Sequence, residues 1–212
     1  MFSMIGPMLV LVFLFSGCMA VAPESIAGEK ERGTFATMLV TPVKRSHIAI
    51  GKIIALSTLS LISGICSFLG IILSLPKLVG GTGNISATVY TASDYIMLLG
   101  IVLSSVLVIV ALISLISAFA KSVKEATNMI GPLMILVVLL GVSTMFTSGS
   151  AGAFFWYLIP LYNSARAMSG IFSFAASPLN VIITIASNLV VALLLAFALA
   201  KMFDNEKIMF NK

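Results

Sequence analysis

Charge is scarce in this chain. Of 212 residues only twelve are Lys or Arg and seven Asp or Glu, 9% in all against 60% hydrophobic, where a soluble domain carries about a quarter charged. The few charges are clustered, and they leave uncharged runs of membrane-spanning length, which excludes an ordinary soluble fold. Histidine is rarer still. His47 is the single one, and it sits beside Lys44 and Arg45 in a basic stretch, so no histidine metal site is available and none is assigned. The two cysteines, Cys18 and Cys66, lie inside apolar runs without CxxC spacing, and read as small apolar filler rather than a disulfide framework or thiolate site. The N-terminus lacks the basic region of a secretory signal and its apolar stretch is longer than the usual signal core, so it reads as a mature span.

What remains is a chain of long apolar runs. Five contain no Asp, Glu, Lys, Arg or His, at roughly 3–22, 53–75, 95–120, 129–147 and 179–200, each near the ~20 residues that cross a bilayer as a helix. Continuous runs rather than alternating ten-residue segments exclude a β-barrel. The predicted fold is all-α, a single polytopic membrane domain over 1–212. Ser177-Pro178 and Thr41-Pro42 each place a hydroxyl before a proline, a helix-start signal. Small residues recur four apart as Ser60/Gly64, Ser63/Ser67 and Ser114/Ala118, which lets helix backbones approach closely. Intrachain packing is the expected use.

The absence of ionisable groups within the runs also narrows function. Ion-coupled carriers typically keep Asp, Glu or His at membrane depth, and intramembrane hydrolysis needs a nucleophile with a base, or a ligated metal. Gly28 to Thr34, GEKERGT, has the outline of a phosphate loop but lacks its lysine after the second glycine, and no buried strand precedes it. The chain is therefore expected to be no enzyme and to hold no cofactor. If ATP drives it, ATP and magnesium belong to a separate subunit. Although the net charge is +5, nucleic acid is not the expected partner, because the basic excess follows orientation. Lys30, Arg32, Lys44, Arg45, Lys52, Lys121, Lys124, Lys201, Lys207 and Lys212 fall in one alternating set of loops, and Lys77 and Arg166 alone in the other. The positive-inside rule then puts the C-terminus in the cytoplasm and Met1 outside.

Two inter-span segments carry the remaining signals. In 24–45 the polar motif Glu29-Lys30-Glu31-Arg32 precedes Phe35, Met38 and Leu39, spaced for one helical face, with Pro42 as the stop. This predicts an amphipathic helix at the cytoplasmic membrane surface. In 153–174, the apolar, aromatic stretch around Trp156 and Tyr157 is too short to cross and is interrupted by Pro160, with Tyr162, Asn163 and Arg166 following. An external re-entrant or interfacial helical pair is expected, with Trp156, Tyr157 and Tyr162 anchored at headgroup level.

The string ESIAGEKERGTFATMLVTPVKR, with Glu24, Gly28, Glu29, Lys30, Glu31, Arg32, Gly33, Thr34, Leu39, Thr41 and Pro42 in the family's positions, resembles the signature after the second span of ABC transporter type-2 permeases, including the sodium-efflux branch. YLIPLYNSARAM at 157–168 is similar to their external re-entrant region. The resemblance implies the permease subunit of an ATP-driven exporter in the cell membrane, working as a homodimer or heterodimer with a related permease and driven by a cytoplasmic ABC ATPase. It makes Glu29, Lys30, Glu31, Arg32, Phe35, Met38 and Leu39 a coupling helix. The substrate class it implies is sodium or a drug- or lipid-like molecule. Such permeases carry a span, and in that branch an external domain, ahead of the one that the first run matches, so the chain reads as a fragment, a mis-set start or one product of a split gene. A membrane-anchored assembly or regulatory subunit without a path of its own is the alternative.

The charge asymmetry sets a direct test. With Cys18 and Cys66 replaced, single cysteines at Thr82, Ser122 and Asn211 are exposed to an impermeant thiol reagent on intact cells. Only Thr82→Cys should react before permeabilisation, and early labelling of Ser122→Cys would reverse the topology.

Overall fold

The protein is described here by a computed structural model, over residues 2–34, 45–80, 90–146 and 159–204. Phe35, Met38 and Leu39 of the expected surface helix, the Thr41-Pro42 start signal, and Trp156 and Tyr157 lie outside the described residues. Within them the chain is helical with no strand: α1 (Phe2–Glu31), α2 (Arg45–Gly80), α3 (Ala92–Phe119), α4 (Val123–Phe146), α5 (Tyr162–Phe172) and α6 (Pro178–Asp204). All but α5 are long and apolar enough to cross a membrane. This is a polytopic helical membrane protein.

Local chemistry explains several boundaries. α6 opens at Pro178, where a missing N–H costs nothing. α3 begins with the Asp94 carboxylate accepting the Thr91 N–H at 2.9 Å. At the start of α4 the Ser122 hydroxyl accepts the Glu125 N–H at 3.2 Å while Glu125 accepts the Lys121 N–H at 2.7 Å, which occupies donors that a helix start leaves bare. α1 departs from expectation. The first apolar run was expected to end at Ala22, yet the helix continues through Pro23 to Glu31. Proline removes one intrahelical bond without forbidding the turn, and Glu24 to Glu31 holds no second proline. Termination falls at Gly33, whose φ of +72° is left-handed and lets its N–H reach the Lys30 carbonyl at 3.1 Å. At 1.5 Å per residue α1 is ~45 Å long, against a hydrocarbon core of ~30 Å, so its polar end projects beyond the lipid tails.

α3 is the hub. It packs on α1, α2 and α6 and touches α4 and α5, and its apolar side chains are buried nearly all round, Ile101, Val102, Val106, Ile109 and Ile113 completely so or close to it, as expected of an interior helix. α2, α4 and α6 turn large side chains outward instead, among them Ile62, Leu139, Leu193 and Phe197. In hydrocarbon that surface costs nothing, so cohesion between helices must come from close packing rather than from the hydrophobic effect. Gly64 shows this directly: a methyl group there would sit 3.1 Å from Val106, so the Ser60/Gly64 pair serves contact with α3 inside the chain.

Gly141 on α4 is tighter, because a Cβ there would stand 2.9 Å from the Met8 side chain and 3.2 Å from its backbone. Gly70, in α2, has open space. Gly141→Ala should therefore lower stability by ~1–3 kcal/mol through overpacking, whereas Gly70→Ala should raise it by ~0.5–1 kcal/mol through helix propensity. Thermal unfolding of the two variants in detergent reads the opposite signs; equal shifts would show that α1 and α4 do not meet at Gly141.

Candidate functional site

The end of the bundle where α1 finishes collects most of the charge. Four helices meet there through three segments: the last turn of α1, the first turns of α2, and the short connection between α3 and α4. The polar motif Glu29-Lys30-Glu31-Arg32, placed by sequence ahead of a surface helix, forms the last turn of α1 and the residue after it, and it clamps the other elements together.

Each residue has an identifiable partner. The Lys30 ammonium donates to the Ala118 carbonyl in the last turn of α3, where helix carbonyls have no intrahelical donor and the helix dipole is negative. The Glu31 carboxylate accepts the Val123 N–H at 2.9 Å, the first residue of α4, where bare N–H groups and the positive dipole favour an anion. Adjacent residues of opposite sign thus complete the end of one helix and the start of the next. Glu29 forms an ion pair with Lys52 of α2 at 2.5 Å, with both side chains largely buried. The same ammonium donates to the Ser25 carbonyl at 2.7 Å. Arg32 pairs with Glu24 at 2.7 Å on the exposed side of α1. Gly28 lets the elements approach closely, since a Cβ there would meet Val123 at 3.2 Å and Arg32 at 3.1 Å. His47 is exposed nearby, and among the described residues no cluster of His, Cys, Asp or Glu is arranged to hold a metal ion.

The second predicted segment lies toward the other end. α5 has 11 residues, ~16 Å, too short to cross. Its Ser164 accepts a hydrogen bond from Asn188 at 2.8 Å, and Asn188 stands ten residues into α6, ~15 Å along that helix. The first turn of α5 is therefore near mid-depth. Its far end returns to Tyr90, whose hydroxyl faces the Phe172 carbonyl at 3.4 Å and whose ring stacks on Phe174. Burial pushes the Tyr90 phenol up, with Tyr95 and Asp94 adding to it, so it stays a neutral donor. The chain turns into α5 at Pro160 and at Leu161, which takes φ 68°. Tyr162, expected as a headgroup-level anchor, opens α5 and is buried within the bundle. Asn163 is fully buried beside Ser164 and Arg166 is half-buried.

Sequence reading missed Lys52 as the partner of Glu29, Ala118 and Val123 as the helix ends that the motif caps, and the buried set Ser104, Ser164, Thr184 and Asn188. The last had a visible signal: Thr184 and Asn188 are four apart, on one helical face of a mostly apolar run.

Residues 1–207 match the model of the ABC-2 family transporter protein. The chain belongs to the ABC-2 family of transporter proteins. Over 171 residues this ABC-2 chain is 34% identical to the ABC transporter permease protein NatB of Bacillus subtilis (strain 168), a match covering 77% of the chain and 42% of that relative. It thus spans less than half the length of the relative. No solved structure matches it.

The Glu29 and Lys52 pair gives the clamp a measurable strength. Glu29→Lys and Lys52→Glu should each destabilise the ABC-2 chain, and the double reversal should recover most of the loss, with a coupling energy of ~0.5–3 kcal/mol in a thermal double-mutant cycle. Additive losses would show that the two groups do not interact.

Proposed function

We propose that this chain is the transmembrane permease subunit of an ATP-driven ABC exporter, with the charged end of the bundle in the cytoplasm and the segment 24–45 engaged by a separate ATPase subunit. Family membership supports the class, and the ten-to-two distribution of basic residues supports the orientation. The observation that carries the coupling role is the clamp: Glu29, Lys30 and Glu31 fasten the end of α1 to α2, α3 and α4. A force applied to the chain just beyond Arg32 therefore reaches four spans without needing separate contacts to each.

The division of labour within the motif follows from exposure. Glu29 is turned inward to Lys52, so its first duty is to hold the bundle. Arg32, exposed and paired only at the surface with Glu24, is the better contact for a partner groove, and Phe35, Met38 and Leu39 continue from it as the docking face. ATP and magnesium are assigned to the partner. A second permease copy or a related chain would complete the path, and the substrate is a small species, sodium or a drug- or lipid-like molecule, crossing between uncharged spans.

Reconstitution with the cognate ATPase tests the reading. Arg32→Ala, Phe35→Asp and Met38→Asp should insert and express normally yet lose substrate-stimulated ATP turnover and flux together, the two aspartates more severely. Glu29→Ala should lose both activities and thermal stability. Undiminished coupled transport in all four variants would overturn the coupling role and favour a regulatory subunit.

A further inference from the structure

Buried polar side chains are expensive at membrane depth unless each finds a partner, and where α3, α5 and α6 meet, two do not. The hydrogen bonds decide the orientation of Asn188. The Ser104 hydroxyl donates to the Ile101 carbonyl at 3.0 Å, and the Ser164 hydroxyl donates to the Asn163 side-chain carbonyl at 3.1 Å. Both serine protons are thereby committed, so each serine oxygen can only accept from Asn188. The group that Asn188 turns to them, at 3.2 Å and 2.8 Å, must be its NH2, with one hydrogen for each serine. Its carbonyl oxygen Oδ1 is left pointing elsewhere, buried and with no donor. One turn earlier on the same face of α6, Thr184 is fully buried and its Oγ1 also lacks a partner.

Two bare oxygens on consecutive turns, deep between apolar helices, define a ligand chemistry. We infer that Asn188 Oδ1 and Thr184 Oγ1 form a binding site for one small hydrogen-bond donor, an O–H or N–H of water size, at the middle of the bundle. Asn188 Oδ1 is held as an acceptor by its own amide's commitments and repels an anion, while the Thr184 hydroxyl can accept or donate, so a group that brings a hydrogen to Asn188 satisfies both. Two neutral oxygens fall well short of the six or more that a hard metal cation takes, so a bare ion is not the fit. An O–H or N–H needs only one acceptor, and a single water has two hydrogens for the two oxygens. The donor can come from water itself or from the hydroxyl or ammonium group of a solute. A groove of about 150 Å³ lies between α2, α3 and α6, and Leu107 and Ala192 in its wall are one turn from Ser104 and Asn188. The site does not depend on the coupling role of the clamp, and failure of either leaves the other standing.

Isotope-edited infrared difference spectroscopy on the full chain in lipid nanodiscs tests it. Exchange of ordinary water for H2-18O should reveal an 18O-sensitive O–H stretch outside the bulk-water envelope, present in the wild type and lost in Thr184→Val. A titration with methylammonium chloride separates the sources. Loss of the band with methylammonium, but not with tetramethylammonium, which has no N–H, shows that the site takes donors from solutes; persistence with both shows water as the occupant. Thermal unfolding gives an independent sign: Thr184→Val, an isosteric loss of one hydroxyl, should lower the melting temperature if Oγ1 holds a ligand and raise it if Oγ1 is empty. Absence of the band in the wild type, or a raised melting temperature in Thr184→Val, overturns the site.

Discussion

A helix that ends beside one that begins confronts the chain with carbonyls lacking donors and N–H groups lacking acceptors, within a few residues of one another. Here that pairing occurs between Phe119 and Val123, and the solution is supplied from nearly ninety residues upstream. Lys30 reaches the α3 carbonyl and Glu31 reaches the α4 N–H, each charge opposed to the local dipole. The rest of the architecture follows from that contact. α1 must stay helical to Glu31 to present both groups, it must stop at Gly33, and it must lie against α3 and α4 along its length, where Gly141 gives it room. Lys52 then draws α2 onto the same helix end.

The bundle separates two kinds of cohesion. Its interior, dominated by α3, is packed from branched and small apolar side chains, and the polar contacts there are neutral hydrogen bonds of serine, threonine and asparagine. Most of the charge among the described residues gathers at the projecting end, with Asp94 and Arg166 toward the other. α5 breaks the symmetry: it enters to mid-depth, bonds to α6 through Ser164, and returns.

Much of this was legible because hydrocarbon imposes simple rules. Five uncharged runs of spanning length, the Pro178 start of α6 and a segment within 153–174 too short to cross follow from local composition, the signature at 24–45 from resemblance to a family, and five spanning helices stand in the structure. The extent of α1 was not legible, since Pro23 reads as a boundary and only packing of the following turns reveals that it is not one. Nor were the partners of Glu29, Lys30 and Glu31, which are set by which helix ends meet in space. The burial of Tyr162 was not legible for a related reason: aromatic character marks interface and interior alike, and the bond between Ser164 and Asn188 draws the start of α5 against α6.

The central claim, that the GEKER clamp binds the end of α1 and the α3 to α4 connection into one body, is tested most directly by spin-label distances in the reconstituted complex with its ATPase. Labels at Thr34 and Lys124 straddle the clamp, and labels at Thr34 and Ser177 span the bundle. Between resting and nucleotide-trapped states the account predicts an unchanged, narrow distance for the first pair and a shifted one for the second. A shift across Thr34 and Lys124 with Thr34 and Ser177 unmoved would contradict it.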